Sequence, residues 1–139
     1  MSPPARPEPP PSAFKSRPGL ARIAAAARYS WKGLRAAWRH EAAFRQEVAL
    51  GVPLLVLAWW GAPTPLQALA LSATVLLVWI VELLNSAVEA LADAVDAGPH
   101  PLLGRAKDLG SAAVFLSLGL CGLSYAVVLG PVFMQRLQG

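Results

Sequence analysis

Three apolar runs, at residues 48–62, 66–92 and 111–132, constrain this 139-residue chain more than any other feature. About 20 apolar residues wound into a helix match the ~30 Å of bilayer hydrocarbon. The second and third runs reach that length, and the first does so if its helix begins at Phe44. The pattern predicts three membrane-crossing helices, at 44–62, 66–92 and 111–132. Pro53 inside the first is tolerable in a packed bundle. Trp59 and Trp60 near its end favour a membrane–water interface, and G-A-P-T-P at 61–65 reads as a tight uncharged turn. The composition agrees, being 55% hydrophobic and only 14% charged, which is poor in charge for a soluble domain.

The formal charge of +4 is unevenly placed. Arg6, Lys15, Arg17, Arg22, Arg28, Lys32, Arg35, Arg39 and Arg45 all precede the first apolar run, Arg105 and Lys107 follow the second, and the first turn has none. Lys and Arg stay on the cytoplasmic side, so the N-terminus and the second loop are expected there. This distribution reads as topology and not as a nucleic-acid surface. Residues 1–19 are rich in proline, which suits neither helix nor sheet, and are expected to be a disordered tail. No apolar segment follows the early charges, so the tail does not read as a signal peptide. In 20–40, Arg28, Lys32, Arg35 and Arg39 share one helical face beside Ala27, Trp31, Leu34 and Trp38, the pattern of a helix lying in the membrane interface. Glu41 and Arg45 have the spacing of a helical ion pair. Cys121 stands alone, offering neither an internal disulfide nor a metal-ligand pair.

The second run carries the chemistry. It continues into V-E-L-L-N-S-A-V-E-A-L-A-D at 81–93, where Glu82, Asn85, Glu89 and Asp93 recur at steps of three, four and four, with Ser86 beside them. On a helix they form one polar stripe opposite Leu83, Leu84, Val88 and Leu91. Counted from Leu66, Glu82 lies roughly 24 Å along, just inside the far edge of the hydrocarbon, and Glu89 about 35 Å along, at headgroup level. A carboxylate at the depth of Glu82 is costly and faces a bundle interior or a wet site. Clustered carboxylates repel unless a cation joins them, and a hard ion such as Mg²⁺ suits oxygen ligands from Glu89 and a second carboxylate such as Glu41. A polar loop is expected at 93–110, where Arg105 and Lys107 are placed to meet phosphates or lipid headgroups. The chain has no G-x-x-x-x-G-K-[ST] and no protein-kinase signature.

Four stretches occur in one order: Y-S-W-K-G-L-R-A-A-W (29–38), E-A-A-F-R-Q-E (41–47), V-E-L-L-N-S-A-V-E-A-L-A-D (81–93) and G-R-A-K-D-L-G-S-A-A-V (104–114). Together they resemble the prokaryotic diacylglycerol kinases, small integral-membrane lipid kinases, over roughly residues 22–130. The resemblance implies an all-α homotrimer, one surface helix (20–40) and three transmembrane helices per chain, in the bacterial inner membrane, with active sites between neighbouring subunits. It implies transfer of the γ-phosphate of ATP to 1,2-diacylglycerol, giving phosphatidate, with Mg²⁺. By position, Glu82 matches the proton acceptor, and Glu41 and Glu89 the metal ligands. Nucleotide-binding positions match at Arg22, Tyr29, Glu41, Glu89, Gly98, Pro99, His100, Lys107 and Asp108. Lipid-substrate positions match at Arg22, Ser30, Trp31, Arg35, Trp38, Phe44, Arg45, Gln46, Glu47, Glu82 and Ser111, and supporting polar positions at Asn85 and Asp93. The proline-rich tail, Pro53 and the prolines flanking His100 depart from the family's pattern.

Two alternatives stand beside this reading. One is a kinase of undecaprenol, a long isoprenoid alcohol, although E-A-A-F-R-Q-E and N-S-A-V-E look more like the diacylglycerol branch. The other is a small proton- or cation-coupled transporter subunit using its intramembrane carboxylates as relays.

Overall fold

The computed structural model describes residues 19–96, 98 and 100–138. The tail expected at 1–19 therefore lies outside the described residues as far as residue 18, as does Pro99, while Gly19 opens the first helix. The chain divides into two compact units, one through Ala36 and one from Ala37 onward.

Helix α1, Gly19–His40, carries the basic and aromatic faces read from the sequence. Lys32 Nζ stands 5.9 Å from the centre of the Tyr29 ring, one turn before it, within reach of a cation–π attraction. Arg39 occupies its last turn, where its positive charge meets the negative end of the helix dipole.

Glu41 breaks the helix with extended backbone (φ −102°, ψ 109°), and α2, Ala42–Gly61, follows. The Glu41–Arg45 pairing allowed by spacing is not formed. Arg45 Nη1 instead donates to the carbonyls of Trp38 (3.0 Å) and Arg39 (3.4 Å), satisfying acceptors left open at the end of α1. Because Glu41 is extended, it and Arg45 do not share one helix, so the four-residue spacing no longer brings their side chains together.

The short turn after α2 is closed by Thr64 as the N-cap of the next helix. Thr64 Oγ1 accepts from the Gln67 N–H (3.3 Å) and donates to Gln67 Oε1 (3.1 Å), with Pro65 at the first helical position. Helix α3, Pro65–Val95, has 31 residues and so a length of about 46 Å, more than hydrocarbon alone requires.

The expected polar loop at 93–110 is shorter in the structure. Helix α3 continues to Val95 and α4, Pro101–Gln138, starts at once beyond a connection at 96–100. The reason is local. Asp96 Oδ1 accepts from the Gly98 N–H (2.8 Å) to make a tight turn, His100 Nδ1 takes the Leu103 N–H (3.4 Å), and Pro101 opens the helix. The segment L-L-G-R-A-K-D-L after it has good helix formers, so its charges mark a polar helical turn and not a loop.

Helix α3 packs along both α2 and α4. Their common core is Ala58, Leu71, Val75, Val78, Cys121, Tyr125 and Leu129. Two long-range hydrogen bonds tie it: Tyr125 Oη donates to the Leu54 carbonyl (2.8 Å), and Trp79 Nε1 to the Glu47 carbonyl (3.2 Å). Gly51 lets the Trp79 indole lie against α2, since a Cβ there would stand 2.7 Å from Trp79 Cζ2. Much of the remaining apolar surface is exposed, including Leu50, Leu69, Ile80, Leu91, Phe115 and Leu123. All three helices α2, α3 and α4 are long and apolar enough to cross a membrane, where such a surface is solvated by lipid or a neighbouring helix.

Candidate active site

The polar stripe of α3 is where the apolar bundle is interrupted. Glu82 lies roughly 25 Å along α3 and is only 4% exposed, a carboxylate inside hydrocarbon depth and shielded by its own chain. Glu89 lies about two turns further along the same face of α3, and Glu47 of α2 is tied through its carbonyl to Trp79, about one turn before Glu82. Asn85 Nδ2 donates to Glu89 Oε1 (2.9 Å), holding that carboxylate along the stripe. Glu47 Oε2, Asn85 Oδ1 and Ser86 Oγ are buried with no hydrogen-bond partner among the described residues. Unpaired polar atoms in a low-dielectric setting are costly unless a group outside this chain's own side chains satisfies them.

Further along, Asp93 Oδ1 meets Lys107 Nζ at 2.7 Å, joining α3 to α4. Beside this pair a cleft of about 420 Å³ is lined by Asp93, Asp96, Gly98, His100, Gly104 and Lys107. It brings together three positions expected to bind nucleotide, Gly98, His100 and Lys107. Asp108 is exposed outside it, and Pro99 lies outside the described residues. Asp96 and Gly104 line the cleft without having been singled out from sequence, although an Asp two residues before a Gly is a recognisable turn signal.

The other expected positions are spread out. Arg22, Tyr29, Ser30, Trp31 and Arg35 are exposed on α1 in the first unit. In the second unit Trp38 and Gln46 are exposed, Glu47 is half-buried, and Phe44 is buried at 5% exposure, packed within its own chain. Ser111 is exposed on α4. Glu47 also borders an apolar cavity of about 210 Å³ between the three spans, whose walls include Leu54, Trp79, Cys121 and Tyr125.

Comparison with known proteins decides what kind of membrane protein this is. The family described as Prokaryotic diacylglycerol kinase matches residues 28–129, most of the chain. The diacylglycerol kinase of Escherichia coli (strain K12) is 47% identical over 115 residues, covering 83% of this chain and 94% of that protein. The chain belongs to the prokaryotic diacylglycerol kinase family. The diacylglycerol kinases of Pseudomonas aeruginosa (46% identical over 119 residues, 86% of this chain, 97% of that protein) and Haemophilus influenzae (40% over 111 residues, 80% and 94%) are similar over nearly the same span. The matched region of this diacylglycerol kinase family member contains the α3 stripe, the α3–α4 cleft, all of α2 and α3 and most of α4, and excludes the proline-rich tail.

Proposed function

We infer that this membrane protein phosphorylates 1,2-diacylglycerol with ATP, giving phosphatidate and ADP, on the cytoplasmic side of the bacterial inner membrane. The diacylglycerol hydroxyl loses its proton to the Glu82 carboxylate as its oxygen bonds to the γ-phosphorus. The bond from that phosphorus to the β–γ bridging oxygen breaks, and ADP leaves with the electron pair. The observation that carries this reading is the near-complete burial of Glu82 at the polar edge of an apolar span, on the face of α3 that also carries Glu89. Diacylglycerol is an apolar substrate with one hydroxyl, which sits at that depth, and the base must be there to meet it.

The nucleotide side of the reaction belongs, on this reading, to the cleft at the α3–α4 connection. Lys107 would contact phosphate oxygens, and Gly98 and His100 would border the nucleotide. Glu41 and Glu89 suit a hard cation: both are carboxylates, and Asn85 already orients one oxygen of Glu89. When bound, Mg²⁺ would neutralise the phosphate charge that builds up during transfer. Among the described residues no three His, Cys, Asp or Glu side chains converge as a ready-made cage, so phosphate and water oxygens would complete its shell. A homotrimer, with sites between neighbours, accords with the exposed apolar faces of the three spans and with the exposed substrate positions on α1.

The test is incubation of the purified protein in lipid micelles with Mg²⁺ and γ-labelled ATP. Diacylglycerol, undecaprenol and no acceptor run in parallel, with Glu82→Gln as control. Label on diacylglycerol that vanishes in the variant is expected. Label mainly on undecaprenol would keep the mechanism and change the substrate, and no lipid label from correctly assembled protein would sink the kinase reading.

A further inference from the structure

Gly110, at the end of the polar part of α4, faces the stripe on α3. A Cβ built at Gly110 would collide with Asn85 Oδ1 and stand 3.2 Å from Asn85 Cγ, while the Asn85 Cα lies at an ordinary 3.8 Å. The backbones of the two helices thus leave room for a side chain at 110, and only the Asn85 amide takes it. That amide has one firm partner, Glu89 Oε1, which accepts from Nδ2 at 2.9 Å.

The orientation of the amide follows from its two neighbours. Turned over, it would aim Oδ1 at the Glu89 carboxylate, oxygen against oxygen. As it stands, the amide nitrogen donates to Glu89, and Oδ1 faces the Gly110 hydrogen that occupies the Cβ direction. Oδ1 has no conventional hydrogen-bond partner, and a Cα–H group is a weak donor of the kind found where helices pack closely. The glycine therefore does two things. It admits the amide between α3 and α4, and it holds the face that leaves the NH₂ group pointing at Glu89.

We propose that Gly110 is a positioning residue of the transfer site: by lacking a side chain it seats the Asn85 amide, which in turn sets the Glu89 carboxylate for a divalent cation. The proposal rests on the reading of Glu89 as a metal ligand. A methyl group at 110 displaces the amide, and a free-swinging Glu89 holds the cation less well. Partners that orient a metal ligand are typically worth roughly tenfold to a hundredfold in metal affinity.

The experiment uses the full chain in lipid micelles with Mn²⁺ and a non-hydrolysable ATP analogue, bound Mn²⁺ being read by electron paramagnetic resonance. The Mg²⁺ dependence of phosphoryl transfer is measured alongside. Gly110→Ala and Asn85→Ala are each expected to weaken Mn²⁺ binding at least about tenfold. In the double variant the methyl group has nothing left to displace, so it should bind Mn²⁺ no worse than Asn85→Ala alone. Wild-type Mn²⁺ binding in Gly110→Ala, or losses that multiply in the double variant, would overturn the proposal. If Gly110→Ala does not assemble, the double variant should, and its failure would show that Asn85 is not what the glycine accommodates. In that case Asn85→Ala carries the second half alone, and unchanged Mn²⁺ binding there overturns the link to Glu89. A wild-type protein that binds no Mn²⁺–nucleotide would refute the metal site itself, which is a different result from a silent glycine.

Discussion

Lys107 Nζ lies 2.7 Å from Asp93 Oδ1, joining the last turn of α3 to the second turn of α4 across the 96–100 connection. The side chains are 39% and 62% exposed, so water screens the attraction and it adds little to stability. Its consequence is positional, since it holds the ammonium on the wall of the cleft at the α3–α4 connection. Asp93→Asn is therefore expected to raise KM for ATP several-fold while leaving thermal unfolding in micelles unchanged. A large drop in unfolding temperature with normal KM would make the pair a structural clamp instead.

Glu89→Gln keeps the size of the side chain and removes its charge. The Asn85 amide can still donate to the remaining carbonyl oxygen, so assembly should persist. The Mg²⁺ requirement for transfer should rise steeply, or transfer should stop at any Mg²⁺ concentration. A metal titration that superimposes on the wild type would remove Glu89 from the cation site.

Gly51→Ala tests the packing that places the site. The added methyl group would press on Trp79 Cζ2 at 2.7 Å, Trp79 Nε1 at 2.9 Å and Val75 Cγ1 at 2.9 Å. Trp79 also donates to the Glu47 carbonyl, so it cannot move without loosening α2 from α3 at the level of Glu47. Overpacking of this kind typically costs about 1–3 kcal/mol. Unfolding of micelle-embedded protein by a denaturing detergent should shift by that amount, and a more stable variant would contradict the observed packing.

Removal of residues 1–18 should leave kcat and both KM values unchanged. The family match begins at residue 28, and none of the expected site residues lies in the tail. A large loss of activity, measured on equal amounts of assembled protein, would assign the tail a part in the reaction.

The stripe on α3 was legible in the sequence because helical periodicity is a local property. Glu82, Asn85, Glu89 and Asp93 share a face whatever the rest of the chain does. The connection at 96–100 was harder to read. Charge at Arg105, Lys107 and Asp108 looks like a loop when hydropathy is the guide, although Pro101 suits the first position of a helix. Glu41 and Arg45 show the reverse error: a spacing that permits an ion pair counts only if one helix spans both, and the extended backbone at Glu41 prevents that.

By itself the sequence determined that three segments must be helical and buried in apolar surroundings. A long apolar backbone has nowhere else to satisfy its N–H and C=O groups. It also determined that one of these helices carries carboxylates at a depth where they are costly. What it left open was which partner each polar side chain would find. Asn85 and Gly110 are 25 positions apart, Asp93 and Lys107 14. Their meeting depends on how α3 and α4 pack, and that is set by the small and apolar residues of the core they share, not by any spacing within either helix. The tertiary structure alone decided that an absent side chain on α4 makes room for the amide that steadies Glu89.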